Sequence, residues 1–223
     1  MASSTAHTHA GRVKNSLHMA QFPESPTASY RSATRPPRRR RPQPAVLGVA
    51  PKGEPLLTHD GRRLVLRPIQ PGDAAALRRA FMRLTPEQVR ARFFYRMNEL
   101  SEALAARLSD PDPDITAAYV IVDAEDGEAP GEIRGEARMH VDEATASAEF
   151  AIAIDPAFAT QGLGRALMLR LEQECRRRGL VELWGDVLAD NYAMLDFSRH
   201  LGLSSMVDHG DEAGVVRVRF ALA

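Results

Sequence analysis

Residues 155–166 read "DPAFATQGLGRA" and stand between the apolar run "EFAIAI" (149–154) and "LMLRLEQECRRR" (167–178). The first flank has the pattern of a buried strand and the second that of a helix, so the chain must turn tightly between them. In "QGLGRA", Gly162, Gly164 and Ala166 keep side chains small where the helix begins. The backbone N–H groups of about Leu163 to Ala166 can then approach an anion closely. No acidic residue occurs from Ala157 to Leu171, although Asp or Glu is the common choice for a first turn. A bound phosphate would fill that role. The spacing is neither the dinucleotide fingerprint G-x-G-x-x-G nor a P-loop, since no Gly-Lys-Ser/Thr follows.

Downstream, Leu163, Leu167, Leu171 and Cys175 form an i, i+4 ladder, which predicts a helix from Leu163 to about Arg178 with one face on a sheet. Arg176, Arg177 and Arg178 suit the negative pole of its dipole, and Gly179 suits a left-handed cap. Cys175, inside the ladder, reads as a small core residue. As the single cysteine it excludes an intramolecular disulfide, which fits a reducing, cytoplasmic setting. The seven histidines show no zinc spacing and have no cysteine pairs beside them, so no metal site is expected.

Upstream, "RLVLRPI" (63–69) alternates like a strand, and "AAALRRAFMRL" (74–84) puts Leu77, Phe81 and Leu84 on one helical face. Thr85, Pro86 and Gln88 make a capping box for a second helix, expected to place Val89, Phe93 and Met97 on one face. "SEALAARL" reads as a third, short helix. "ITAAYVIVDA", "IRGEARMHVD" and "AEFAIAI", joined by "EDGEAPGE" and "EATAS", describe an antiparallel meander. After the long helix come a strand "VELWGDVL", a helix from about Tyr192 to His200, and strands around "LSSMVDH" and "VVRVRFAL". The order predicts one mixed α/β domain, a mostly antiparallel central sheet flanked by helices.

The neutral total charge hides an asymmetry. Residues 1–55 hold nine Lys or Arg against two acids, a charge of +7, which leaves −7 for the remainder. That leader is rich in Pro, Ser, Thr and Ala and has no apolar period, so residues 1–57 are expected to be a disordered Arg/Pro-rich arm and 58–223 the folded domain. The run "RPPRRRRPQP" can attract nucleic acid or an anionic surface. A solvated tail is the favoured alternative, and the acid-poor leader also resembles an organellar transit peptide. No apolar stretch approaches the ~20 residues of a membrane span, so no membrane partner is expected.

Gln161, Gly164 and Ala166 fit the Q/R-x-x-G-x-G/A signature of GNAT superfamily N-acetyltransferases, and the strand before and helix after sit where that family has them. "LADNYAMLDFSRHLGL" resembles the family's second marker. "LRPIQPGD", "RLTPEQVRARFF", "AEFAIAI" and "VLADNYAML" are similar to the acetyltransferase domains of bacterial protein lysine acetyltransferases that modify acyl-CoA synthetases. The resemblance implies acetyl-CoA as co-substrate. Its pyrophosphate would lie on the amides of Gln161, Gly162, Leu163, Gly164, Arg165 and Ala166, with the Arg165 side chain supporting a phosphate. Its pantetheine arm would bond to the backbone of Ile152 and Ile154, where two strands splay, with Asn191, Met194 and Ser198 lining the other side. Many of these enzymes carry a tyrosine where this chain has Ser198, a poor acid, leaving water or Tyr192 to protonate the thiolate.

Acetylating an amine near neutral pH calls for a base, because an alkyl ammonium with a pKa near 10.4 must lose a proton, a deficit of roughly 4 to 5 kcal/mol. Glu149 is the only ionisable residue in "AEFAIAI", and alternation places it with Ala151 and Ala153, beside room for a substrate. An apolar setting there is expected to raise its pKa. In the resembling enzymes the glutamate of the same segment is the proposed base. His140 and Glu136 on the neighbouring strand are the reserves, each expected to be solvated. The expected partner is thus an amine acceptor, a protein lysine on the resemblance. Competing readings are a small-molecule amine acetyltransferase and a non-catalytic acyl-CoA-binding module.

Overall fold

The computed structural model describes residues 53–124, 131–201, 205–209 and 214–222. The arm up to residue 52, the turn at 125–130 and Gly202 of the second marker lie outside them. The strands are β1 (Glu54–Leu57), β2 (Arg63–Pro68), β3 (Thr116–Asp123), β4 (Ile133–Asp142), β5 (Ser147–Ile154), β6 (Glu182–Leu188), β7 (Ser205–His209) and β8 (Val215–Ala221). The helices are α1 (Ala74–Arg83), α2 (Pro86–Phe93), α3 (Glu102–Ser109), α4 (Leu163–Arg177) and α5 (Tyr192–His200). Among the described residues one eight-stranded sheet forms, in the order β1-β2-β3-β4-β5-β6-β8-β7. Every neighbouring pair is antiparallel except β5 with β6, which run parallel.

Residues 54–57, assigned above to the arm, form β1 and pair with β2 from Glu54↔Leu66 to Leu57↔Arg63. Four residues with a proline are too short to show a period, so pairing with β2 supplies the order that the segment's own pattern does not. Helix α2 also stops at Phe93 rather than reaching Met97. Phe94 takes φ 61°, and its N–H closes the last turn on the Arg90 carbonyl. Tyr95 and Met97 still pack on the α1–α3 cluster, from irregular chain.

The capping box of α2 forms as expected: Thr85 Oγ1 accepts from the Gln88 N–H at 3.2 Å and Gln88 Oε1 from the Thr85 N–H at 3.0 Å. Helix α4 buries its ladder completely, with Leu163, Leu167, Leu171 and Cys175 at most 1% exposed. Each such leucine contributes about 1.5 to 3 kcal/mol of transfer free energy. Gly179 ends the helix at φ 70°, as a left-handed cap should.

Apolar clusters lie on both faces of the sheet. Tyr119, Ile121, Met139 and Phe150 meet α4 and α5 on one side, while Ala118, Val120 and Val122 meet α1, α2 and α3 on the other. β3 is thus buried on both faces, which its unbroken apolar run predicts.

Candidate active site

The parallel pair β5–β6 is short. It holds at Ser147↔Glu182, Ala148↔Leu183 and Glu149↔Trp184, after which the two strands run on without pairing to Ile154 and Leu188. A V-shaped gap therefore opens at Glu149. On the α4 face it is propped by the Phe150 ring. A Cβ on Gly185 of β6 would come within 2.8 Å of that ring, so only glycine lets the ring sit there.

The backbone phase of β5 decides what the gap offers. Asp155 donates its N–H to the Arg134 carbonyl of β4. Alternation then turns the amides and carbonyls of Ala151 and Ala153 toward β4 and those of Ile152 and Ile154 into the gap. This is the orientation expected for both isoleucines, with one reservation in kind. The Ile154 carbonyl already accepts from Gln88 Nε2 of α2 at 3.1 Å.

At the open end of the V stands the N-terminus of α4. Gly162 is its cap residue at φ 87°, no side chain caps the helix, and its first turn carries no acid. The first intrahelical bond is Ala166 N–H to the Gly162 carbonyl at 3.1 Å, so the N–H groups of Leu163, Gly164 and Arg165 have no i−4 partner. Donors aligned at the positive pole of a fifteen-residue helix suit a phosphate. The Arg165 side chain is exposed. Gly164 has a second reason to be small, because a Cβ there would lie 3.2 Å from the Phe197 ring of α5. The Gln161 side chain is tied elsewhere: its Oε1 accepts the Asp60 N–H at 3.0 Å.

On the far wall, Asn191 caps α5, its Oδ1 accepting the Met194 N–H at 3.2 Å. Met194 is partly buried against the α4-side cluster. Ser198, expected on the same wall, is buried at 2% exposure and its hydroxyl donates to the Met194 carbonyl at 2.8 Å. A serine inside a helix satisfies itself on the preceding turn. Tyr192 is 76% exposed on the first turn of α5.

Glu149 is 3% exposed and lies on the α1–α3 face, opposite His140 of β4 and beside Trp184 of β6. The expected apolar setting is not what surrounds it. Arg92 of α2, Glu136 and Arg138 are buried on the same side, with Glu136 contacting Arg138 Nε at 2.5 Å and Arg92 Nη2 at 3.4 Å. Burial pulls the Arg92 guanidinium down, and the negative charge of Glu136, and less so that of Glu149, opposes this. Burial pushes Glu136 up, yet Arg138 and Arg92 together hold it below the ordinary carboxylate range. Glu136 is therefore an ion-pair partner, not the solvated residue expected. His140 is half-buried and lowered by that burial, with Nδ1 3.2 Å from Thr116 Oγ1.

A small pocket of about 40 Å³ lies under α1 to α3 on this face, lined by Leu77, Phe81 and Phe93 together with Arg92, Glu136 and Ala153. The sequence pattern could not reveal the ionic cluster, because its members come from α2 and β4, 44 residues apart for Arg92 and Glu136. Among the described residues no group of three or more His, Cys, Asp or Glu is placed to hold a metal ion.

Comparison with known proteins agrees with this geometry. A model of the acetyltransferase (GNAT) family matches residues 74–203. Acetyltransferase PA5475 of Pseudomonas aeruginosa is 32% identical over 163 residues, 73% of this chain and 86% of that protein. The ribosomal protein bS18 alanine N-acetyltransferase of Escherichia coli is 44% identical over 64 residues, but these are 29% of this chain and 41% of that enzyme. Among solved structures, the GNAT domain of S. lividans PAT superposes with a TM-score of 0.68 at 23% identity, covering 76% of this chain and 97% of that one. The cAMP-binding acyltransferase from Mycobacterium smegmatis gives 0.51 at 22%, covering 77% of this chain and 47% of that longer one. The phosphate-ready helix start, the parted strands and these likenesses lead to one conclusion: the chain is an N-acetyltransferase of the acetyltransferase (GNAT) family, which uses acetyl-CoA as co-substrate.

Proposed function

We propose that this enzyme transfers the acetyl group of acetyl-CoA to a primary amine of a protein, a lysine side chain, by direct attack with Glu149 as general base. The observation that carries the proposal is the position of Glu149 at the apex of the V, where β5 and β6 part. From Ile154 to Glu149 the strand runs about 16 Å at ~3.3 Å per residue. That is a track for an extended arm whose phosphates rest on the amides of Leu163, Gly164 and Arg165. The backbone of Ile152 and the N–H of Ile154 would hold the arm in register, and Asn191 would wall it in.

Acetyl-CoA supplies a thioester, an acyl donor that needs no further activation to meet a neutral amine. The work of the protein is to present that amine. On the face that carries Glu149, a small pocket under α1 to α3 has apolar lining at Leu77, Phe81 and Phe93 beside Arg92 and Glu136, and the alkyl stem of the acceptor would come from that side. Donor and acceptor would thus approach from opposite faces of the sheet. The Glu149 carboxylate would take the proton that the attacking nitrogen loses, and the coenzyme would leave as the thiol once protonated from solvent. A thiol pKa of ~8.5 makes that departure tolerable without a dedicated acid, consistent with the inward-turned Ser198.

Incubating the enzyme with acetyl-CoA against a panel of proteins and small amines, read by mass spectrometry, tests the reading. Acetylated lysines are expected. Modification confined to N-terminal alanine, or to small amines, would replace lysine by that acceptor. Glu149→Gln is expected to lower kcat by ~10² to 10⁴ with little change in acetyl-CoA binding. An acceptor-dependent rate equal to wild type would remove Glu149 from the role.

A further inference from the structure

The turn between β1 and β2 is fastened to the start of α4 and the loop before it by five contacts. His59 Nδ1 lies 2.9 Å from the Thr160 carbonyl, and the Asp60 N–H donates to Gln161 Oε1 at 3.0 Å. Arg62 donates to the Ala157 carbonyl at 3.4 Å and stacks over the Phe158 ring, 3.8 Å from its centroid. The fifth contact is spatial. A Cβ on Gly162 would come 3.3 Å from His59 Nε2, so the imidazole occupies the room that glycine leaves. These residues of the turn and of the loop are about 100 positions apart in sequence, as the 101-residue separation of His59 and Thr160 shows.

The tautomer follows from the partner. A carbonyl only accepts, so Nδ1 carries the proton and the ring is pinned with Nε2 over the glycine that begins the helix. Holding the turn in place needs Nδ1 alone. Nε2 is left over Gly162, the cap residue directly before the N–H groups of Leu163, Gly164 and Arg165, where a phosphate oxygen would need donors. Neutral imidazole cannot donate from Nε2 while Nδ1 holds the proton, so donation there requires the imidazolium. The charged groups around it are Asp60 and Arg62 on its own turn, which pair with each other, Arg165 on the first turn of α4, and Asp155, which binds Arg83 and Arg134. Residues 156–162 of the facing loop contain no ionisable side chain.

We propose that the β1–β2 turn is part of the acyl-CoA site, and that His59 takes up a proton on binding and donates it through Nε2 in a hydrogen bond to a pyrophosphate oxygen. This rests on the reading of the α4 N-terminus as the pyrophosphate cradle. The net event is transfer of one proton from solvent to Nε2; no covalent bond to the ligand forms.

Dephospho-CoA is the probe, since it keeps the pyrophosphate and lacks the 3′-phosphate, whose own titration near pH ~6 would blur a proton count. Calorimetry on the full chain would use two buffers of different ionisation enthalpy, at a mildly alkaline pH where an ordinary imidazole is neutral. Wild type is expected to take up a proton on binding. His59→Gln should bind roughly 10- to 100-fold more weakly, the worth of a charged hydrogen bond, and lose the uptake. His59→Arg, permanently charged, should restore affinity to within about threefold without uptake. Thermal melts report folding of each variant. Equal affinity and equal uptake in His59→Gln with wild-type melting overturns the assignment of His59. Failure of well-folded wild type to bind dephospho-CoA at all overturns the cradle, and this inference with it.

Discussion

Burial decides the chemistry of Cys175 as well as its packing. It is fully buried, its sulfur 3.3 Å from that of Met139, and burial pushes its thiol pKa up to about 12. The thiolate is the reactive form, so thiol reagents should label the native protein negligibly and the denatured protein stoichiometrically, as absorbance of the released chromophore would show. Its neighbour Glu174 has the opposite fate: Arg177 first, and then Arg178, hold its carboxyl down to about 2 against the pull of burial. A depressed carboxylate stabilises the folded state above its unfolded pKa near 4.5 and loses that contribution as pH falls toward 2. Acid titration of Glu174→Gln, followed by circular dichroism, should therefore show a shallower loss of stability across that window than wild type. At Glu149 the sequence told where the residue points and not what it meets. Alternation is a local signal, whereas Arg92, Glu136 and Arg138 converge only through folding.

Elements were legible where period and punctuation agree. The bounds of β4 and α5 and the capping of α2 follow from sequence alone, because alternation, ladder spacing and cap chemistry point the same way. β1 was not legible, being four residues long, and neither was the early end of α2, where Phe94 goes left-handed against its own steric preference. The contact of Gly185 with Phe150 was hidden too, since it joins two strands that do not pair at that point. It is nonetheless severe. Gly185→Ala should destabilise by about 1 to 3 kcal/mol, as overpacking does in a core whose Phe150 ring also abuts Phe220, 5.7 Å away between centroids. Urea titration should show part of that loss recovered in the double variant with Phe150→Leu. Additive losses would mean that the ring is not what the new methyl strikes.

Across the whole molecule, one carboxylate ties the two sides of the sheet to the turn that starts α4. Asp155 accepts from Arg83 of α1 at 2.8 Å, from Arg134 of β4 at 3.3 Å and from the Ala157 N–H at 3.0 Å. Its side chain is 4% exposed while both arginines are partly open to water. Asp155→Ala should therefore cost about 2 to 3 kcal/mol, below the value for a fully buried pair. The shift should come in the urea midpoint with an unchanged slope. The opposite rim has a weaker link, Arg90 of α2 to Asp190 before α5, exposed on both sides and worth little in stability.

The three-residue pairing of β5 with β6 also leaves a signature in time. Along a single strand, the amides of Ala151 and Ala153 are held by β4, whereas those of Ile152 and Ile154 face a gap. Deuterium should accordingly enter β5 in an alternating rhythm, slow and fast by turns, in the middle of an otherwise protected sheet. A ligand that lies along the gap would silence the fast beats and leave the slow ones untouched, so the coenzyme would behave in exchange as a temporary ninth strand.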